Sequence, residues 1–181
     1  MRLLIASDLH GSARYCRMLL RRLDESGADK LLLLGDLLYH GPRNDLPEEY
    51  DPKAVLAMLN ERADHIFCVR GNCDCEVDQM VLRFPILAEY AVLFVGGRLF
   101  YAAHGHRPDL LPPPPAGVTP ILLCGHTHIP VCEERGGYLC CNPGSVSIPK
   151  ENSPRGYLLL EERRLLWKAL ETGETLRELP L

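Results

Sequence analysis

Arg2-Leu3-Leu4-Ile5-Ala6-Ser7-Asp8-Leu9-His10-Gly11-Ser12 decides how the chain is read: an apolar run, then Asp-x-His, then a glycine and a helix-capping serine. Residues 2–6 read as a buried strand. A strand that runs out onto an acid and an imidazole presents both at a sheet rim, where the rigid element aims the first side chains of the loop. Apolar runs at 30–34, 65–69, 99–103 and 120–124 end in the same way. The blocks that follow the five runs are Asp8-Leu9-His10, Gly35-Asp36, Gly71-Asn72-Cys73-Asp74, His104-Gly105-His106 and Gly125-His126-Thr127-His128. One rim is therefore expected to collect them all.

Outward from this stretch, Ser12 caps a helix with Tyr15, Cys16, Leu19, Leu20 and Leu23 on one face, and Gly27 ends it. The arginines at 14, 17, 21 and 22 are expected on its solvated side. Asp51-Pro52 announces a second helix through Val55, Leu56 and Leu59, with an acid at the cap and proline at the first helical position. The order so far is strand, helix, strand, helix, strand. From Pro85 onward the pattern changes to short strands, with Gly-Gly pairs at 96–97 and 136–137 as hairpin signals. Antiparallel pairing is expected to dominate this half, with 156–169 as a final hairpin and Pro112 to Pro115 as a stiff loop. An α/β half followed by a β-rich half, without a flexible linker, predicts one domain over 1–181 made of two face-to-face sheets flanked by helices.

A chain of 181 residues can bury a sufficient core without disulfides. Its net charge of −4, with no long Lys/Arg run, argues against a protein whose main affinity is for nucleic acid. The N-terminus reaches Asp8 too soon for a signal peptide or membrane span, so a cytoplasmic protein with no membrane partner is expected. In that setting the eight cysteines are expected to be thiols. Cys73 and Cys75 lack the spacing of a zinc knuckle.

Asp8, His10, Asp36, Asn72, His104, His126 and His128 offer seven nitrogen or oxygen ligands, too many for one tetrahedral ion and suited to two adjacent ions sharing a carboxylate. Imidazoles mixed with carboxylates and an amide favour first-row ions over calcium. Two aspartates against two divalent cations leave a net positive site, which suits a phosphate ester and acidifies a bridging water.

The ordered set Asp-x-His, Gly-Asp, Gly-Asn-x-Asp, His, Gly-His-Thr-His over positions 8–128 resembles the signature of the calcineurin-like metallophosphoesterase superfamily. Asn142-Pro143-Gly144-Ser145 further resembles its small bacterial branch of YfcE-type phosphodiesterases. The resemblance implies an α/β (α+β) four-layer αββα sandwich, with two mixed sheets flanked by helices around a dinuclear centre. It implies one metal on Asp8, His10, Asp36 and His128, and the other on Asp36, Asn72, His104 and His126. Manganese is the first choice, with zinc, iron and nickel as alternatives. Asp36 would bridge the ions, a bridging hydroxide would attack phosphorus, and Asp36, Asn72 and His104 carry catalytic as well as ligand roles.

Two positions depart from the wider superfamily. Many members place a histidine after the Gly-Asn asparagine to protonate the leaving group, and here that residue is Cys73, a poor substitute. Asp74 beside it would orient an imidazole introduced at 73. Phosphatases of the superfamily often follow Gly-Asp with a phosphate-gripping Asp-Arg, where this chain has Tyr39 and His40. Arg43 in Gly41-Pro42-Arg43-Asn44 could reach back to substrate, although an exposed loop arginine is the simpler reading. His106 could contact substrate or support the shell around His104. His40, Arg43, Cys73 and His106 thus form the candidate substrate-binding set. The reading is a metal-dependent phosphodiesterase for small substrates, with a monoesterase as nearest rival. An interaction scaffold like the eukaryotic retromer subunit, whose metal site is incomplete, is the alternative class. Exposed apolar surface would support a homo-oligomer.

Overall fold

The computed structural model describes residues 1–181. β1 (Leu3–Ala6) is buried along its whole length and leads through the Asp-x-His loop into α1 (Ala13–Ser26). Ser12 caps this helix through the Tyr15 amide, and Gly27 closes it in the left-handed region at φ 61°. The apolar face is the expected one, Tyr15, Cys16, Leu19, Leu20 and Leu23. Of the four arginines, Arg22 departs from the solvated side: it is half-buried and donates to the carbonyls of Leu170 and Glu171, tying the helix to the C-terminal strands.

β2 (Lys30–Leu33) pairs parallel with β1, and β3 (Ile66–Cys68) parallel with β2. Between them lies α2 (Pro52–Asn60), capped by Asp51 as the Asp-Pro signal predicts. A short α3 (Glu76–Val81), which the sequence reading did not anticipate, follows the third block. The glycine pairs make the expected hairpins, joining β4 (Tyr90–Val95) to β5 (Arg98–Ala103) and β7 (Pro130–Arg135) to β8 (Tyr138–Pro143). All four glycines have positive φ, the backbone that a tight two-residue hairpin turn needs.

Antiparallel pairing holds for these hairpins but not for the centre of their sheet. β6 (Ile121–Leu123) pairs parallel with both β5 and β8, giving the mixed order β4-β5-β6-β8-β7. The final hairpin, β9 (Gly156–Glu161) and β10 (Arg164–Ala169), returns to the first sheet and pairs with β1. A last strand, β11 (Thr175–Pro180), extends that sheet to the order β11-β10-β9-β1-β2-β3.

Strand alternation divides the core into layers. Leu3 and Ile5 of β1 point between the sheets with Leu32, Phe100, Leu123, Leu158 and Trp167. Leu4 and Ala6 point the other way, against Leu19 and Leu23 of α1 and Val55 and Leu59 of α2. The architecture is thus two mixed sheets flanked by helices, as expected, with one refinement. The outer face of the second sheet, carrying Tyr101, Leu122 and Tyr138, is met by Leu111 just after a 3₁₀ turn at Pro108–Leu110. The Tyr138 hydroxyl donates to the Pro112 carbonyl, so the expected stiff proline loop is part of this layer. No helix is long and apolar enough to cross a membrane.

Candidate metal centre

All five blocks follow the C-terminal ends of β1, β2, β3, β5 and β6, and the two sheets bring these ends to one place. Backbone bonds continue past the strands: the Asp8 amide reaches Gly35 O at 3.2 Å and the His10 amide reaches Asp36 O at 2.9 Å. Across the sandwich, the His126 amide donates to Asp8 Oδ2 at 3.1 Å.

The side chains converge in two adjoining groups. Asp8 Oδ1 lies 3.2 Å from His128 Nε2 and 3.6 Å from His10 Nε2. His104 Nε2 lies 3.0 Å from Asn72 Oδ1. Asp36 Oδ2 stands between the groups, 3.6 Å from His10 Nε2 and 3.5 Å from His104 Nε2. His126 is half-buried beside the second group, its ring centroid 5.1 Å from that of His104. Asp8, His10, Asp36, His104 and His128 are buried, whereas Asn72 is exposed at the edge.

The chemistry of this donor set fits a divalent cation. His10, His104 and His128 each place Nδ1 on a backbone carbonyl, those of Tyr39 (2.8 Å), Leu34 (2.7 Å) and Ile148 (2.7 Å). With Nδ1 as the donor, the Nε2 lone pairs are the atoms that face the carboxylates and one another. His10 Nε2 and His128 Nε2 are only 3.3 Å apart, and buried Asp8 Oδ1 has no hydrogen-bond partner. Lone pairs so gathered repel unless positive charge lies among them.

The titration shifts express the same field. Burial would raise the Asp8 carboxyl, but the imidazoles of His10 and His128 against it and the charge of His104 hold it well below the usual carboxylate range. Burial would lower His104, but the hydrogen bond to Asp36 and the charges of Asp8 and Asp36 lift it to about 9. His10 is raised despite its burial, chiefly through Asp8. The carboxylates draw protons onto these imidazoles as they would draw a cation.

The centre is braced by groups that the sequence reading did not place in this role. Buried Asp74 spends its carboxylate on three backbone amides, those of Asp36 (2.9 Å), Leu37 (2.9 Å) and Gly71 (2.7 Å), locking the second block to the third. It is therefore unavailable to orient an imidazole at position 73. Burial pushes its pKa up, against the lowering effect of these amides. A Cβ at Gly71 would stand 2.1 Å from Asp36 Oδ1, and one at Gly125 would stand 1.9 Å from Ser7 Oγ. Both blocks need glycine for this close approach. Ser145 and Ser147 each donate to the Asp8 carbonyl at 2.8 Å, and Asn142 donates to Gly125 O at 2.8 Å. The Asn-Pro-Gly-Ser block thus buttresses two of the loops. Asp8, His10, Asp36, His126 and His128 all have φ between 47° and 68°, the left-handed region that side chains other than glycine seldom adopt.

Above the centre opens a cavity of about 370 Å³. Its lining includes Arg43, Cys73, His126, Thr127, His128 and Lys150, so Arg43 does reach the cavity while remaining solvent-exposed. Lys150 was not singled out in the sequence, because one exposed lysine in a loop carries no spacing signal. Burial, and then the charge and hydrogen bond of Asp36, push the Cys73 thiol up to about 12. His106 packs edge-on to His104 at 5.3 Å, and its buried Nδ1 has no partner. His40 is not in the lining; it packs edge-on between Tyr39 (4.8 Å) and Tyr50 (5.2 Å).

Comparison with known proteins accords with this geometry. The family model for the calcineurin-like phosphoesterase superfamily domain matches residues 1–164. Phosphodiesterase YfcE of Escherichia coli K12 is 47% identical over 163 residues, which cover 89% of this chain and 88% of that protein. A solved structure of the E. coli YfcE phosphoesterase superposes with a TM-score of 0.92, at 43% identity over 99% of both chains. Vps29 of Entamoeba histolytica, solved with zinc, shares the fold at a TM-score of 0.58 and 20% identity, covering 99% of both chains. With the family model spanning nearly the whole fold and close kinship to YfcE across it, the chain belongs to the calcineurin-like phosphoesterase superfamily.

Proposed function

We propose that the protein is a metal-dependent phosphodiesterase for small substrates. Asp8, His10, Asp36 and His128 would hold one divalent ion, and Asp36, Asn72, His104 and His126 a second. The observation that carries this reading is the convergence of inward-facing Nε2 atoms and carboxylate oxygens, with each Nδ1 of His10, His104 and His128 committed to a backbone carbonyl. When bound, two first-row ions, manganese foremost, supply Lewis acidity that acidifies water and neutralises charge on the phosphoryl group. The chain's own residues orient the centre, keep its floor out of solvent and leave Asn72, His126 and Cys73 open to the cavity.

A diester rather than a monoester is favoured by Cys73. Its thiol remains protonated and weakly acidic where a histidine would assist a poor leaving group. The relative named a phosphodiesterase supports the same choice. An interaction scaffold would not require all seven positions to be filled. The test is hydrolysis of bis(p-nitrophenyl) phosphate by chelator-stripped protein before and after adding manganese, zinc, iron or nickel, with metal content measured in parallel. Activity should vanish on stripping and return with a first-row ion bound at two per chain. Full activity in the metal-free protein would overturn the proposal.

A further inference from the structure

The chain carries 24 carboxylate residues against 20 lysines and arginines, yet none of the ten residues lining the cavity is acidic and two are cations, Arg43 and Lys150. The sign at the cavity is thus opposite to that of the molecule. Arg14, Arg17 and Arg62 are paired with Glu48, Glu49 and Asp24, and several other surface cations are free; Arg43 and Lys150, which make no ion pair, are the two that line the cavity. Only one of the ten lining residues is hydrophobic, so the contacts the cavity offers an ester arm are mainly polar.

Both cations stand on segments tied to the metal centre. The carbonyl of Tyr39 receives His10 Nδ1 at 2.8 Å, and the loop from there to Arg43 is pinned where Asn44 Nδ2 donates to His40 O at 2.8 Å. On the other side the carbonyl of Ile148 receives His128 Nδ1 at 2.7 Å, and two residues later the Lys150 amide donates to His128 O at 3.2 Å. Ser153 Oγ holds the Lys150 carbonyl at 2.7 Å. The two charges are therefore set on opposing loops.

A simple diester carries one negative charge, which the centre proposed above would neutralise on the cavity floor. That leaves Arg43 and Lys150 at the cavity with no partner among the protein's own groups. We infer that the cavity selects small phosphodiesters that carry a second anionic group, a carboxylate or a phosphate, on one ester arm, and that Arg43 and Lys150 read it. This inference rests on the phosphodiesterase reading for its reaction and on the cavity's charge for its specificity.

The test uses three p-nitrophenyl phosphodiesters with the same leaving group, whose retained alcohol is methyl, 2-carboxyethyl or 2-phosphoethyl. With manganese-loaded protein, kcat/KM should favour the two anionic arms over methyl by about 5-fold per cation engaged, the effect of a well-placed exposed ion pair. The ranking of carboxylate against phosphate names the preferred anion. The advantage should shrink in Arg43→Gln and in Lys150→Gln, disappear in the double variant and fall with added salt. Equal kcat/KM for all three esters, or an advantage that survives in the double variant, would overturn the inference. Calorimetric titration with methylphosphonate and phosphonoacetate, which have no ester to cleave, reads the preference as binding alone. Failure to turn over any of the three esters would sink the hydrolase reading, and the calorimetric ratio would then decide the charge reading by itself.

Discussion

Replacing Asp74 tests how the centre is held together without touching any proposed ligand. Its carboxylate accepts from the amides of Asp36, Leu37 and Gly71, and is 3% exposed, so Asp74→Ala strands three donors that water cannot easily reach. A buried donor left without a partner costs about 1–3 kcal/mol, so three of them set the upper range of the loss. Part of that is returned, because burial already disfavours the charged carboxyl and pushes its pKa up. A net loss of about 3 kcal/mol is expected for Asp74→Ala. Asp74→Asn keeps one oxygen, which can serve the Asp36 and Gly71 amides now met by Oδ2, and turns its amide toward the Leu37 donor. Its loss should be nearer 1 kcal/mol.

Urea unfolding of the metal-free proteins measures these values. Calorimetric titration of manganese should show a 10- to 100-fold weaker affinity in Asp74→Ala, on the order found for residues that orient metal ligands. An Asp74→Ala protein that unfolds within about 0.5 kcal/mol of the parent, the usual range for an inert surface substitution, and binds manganese equally well would refute this bracing role.

Other consequences follow from neighbouring groups. Gly71→Ala forces a Cβ to within 2.1 Å of Asp36 Oδ1, so Asp36 must shift; loss of bound metal and activity, read by elemental analysis and turnover, is expected in protein that still folds by circular dichroism. His126→Ala and His128→Ala should both impair hydrolysis, but only His128→Ala should lower the melting temperature of metal-free protein, because the His128 ring is buried on the Ile148 carbonyl while His126 is half-exposed. Equal melting temperatures would contradict this distinction. Cys73→His should raise turnover of diesters with poor leaving groups and flatten the dependence of rate on leaving-group pKa. With Asp74 committed to backbone amides, the new imidazole lacks that partner, and adding Asp74→Asn should leave the flattened slope unchanged.

Much of this arrangement was legible because its signals are local. The Ser12 cap, the Asp51-Pro52 start and the Gly-Gly turns each lie within a few residues of the element they specify, and each ligand block directly follows an apolar run. The parallel centre of the second sheet was not legible, since the partners of β6 are set by distant chain segments. β11 is exposed on most of its residues, and α3 buries none, so neither imposes a periodicity. Asp74 was visible beside Asn72, but its service to the Asp36 loop depends on two glycines that let separate loops touch. The pairing of Arg43 with Lys150 joins residues that only the closed sandwich brings to one cavity.

The left-handed backbone at Asp8, His10, Asp36, His126 and His128 has a consequence for selection experiments. Each such residue holds about 1 kcal/mol of local strain that glycine would relieve. A library screened only for heat resistance of the metal-free protein should accumulate glycine, or asparagine, at His126, whose half-buried ring makes no hydrogen bond, and not at the other four, whose buried side chains hold backbone groups. Its most durable members would be the ones least able to act on any ester.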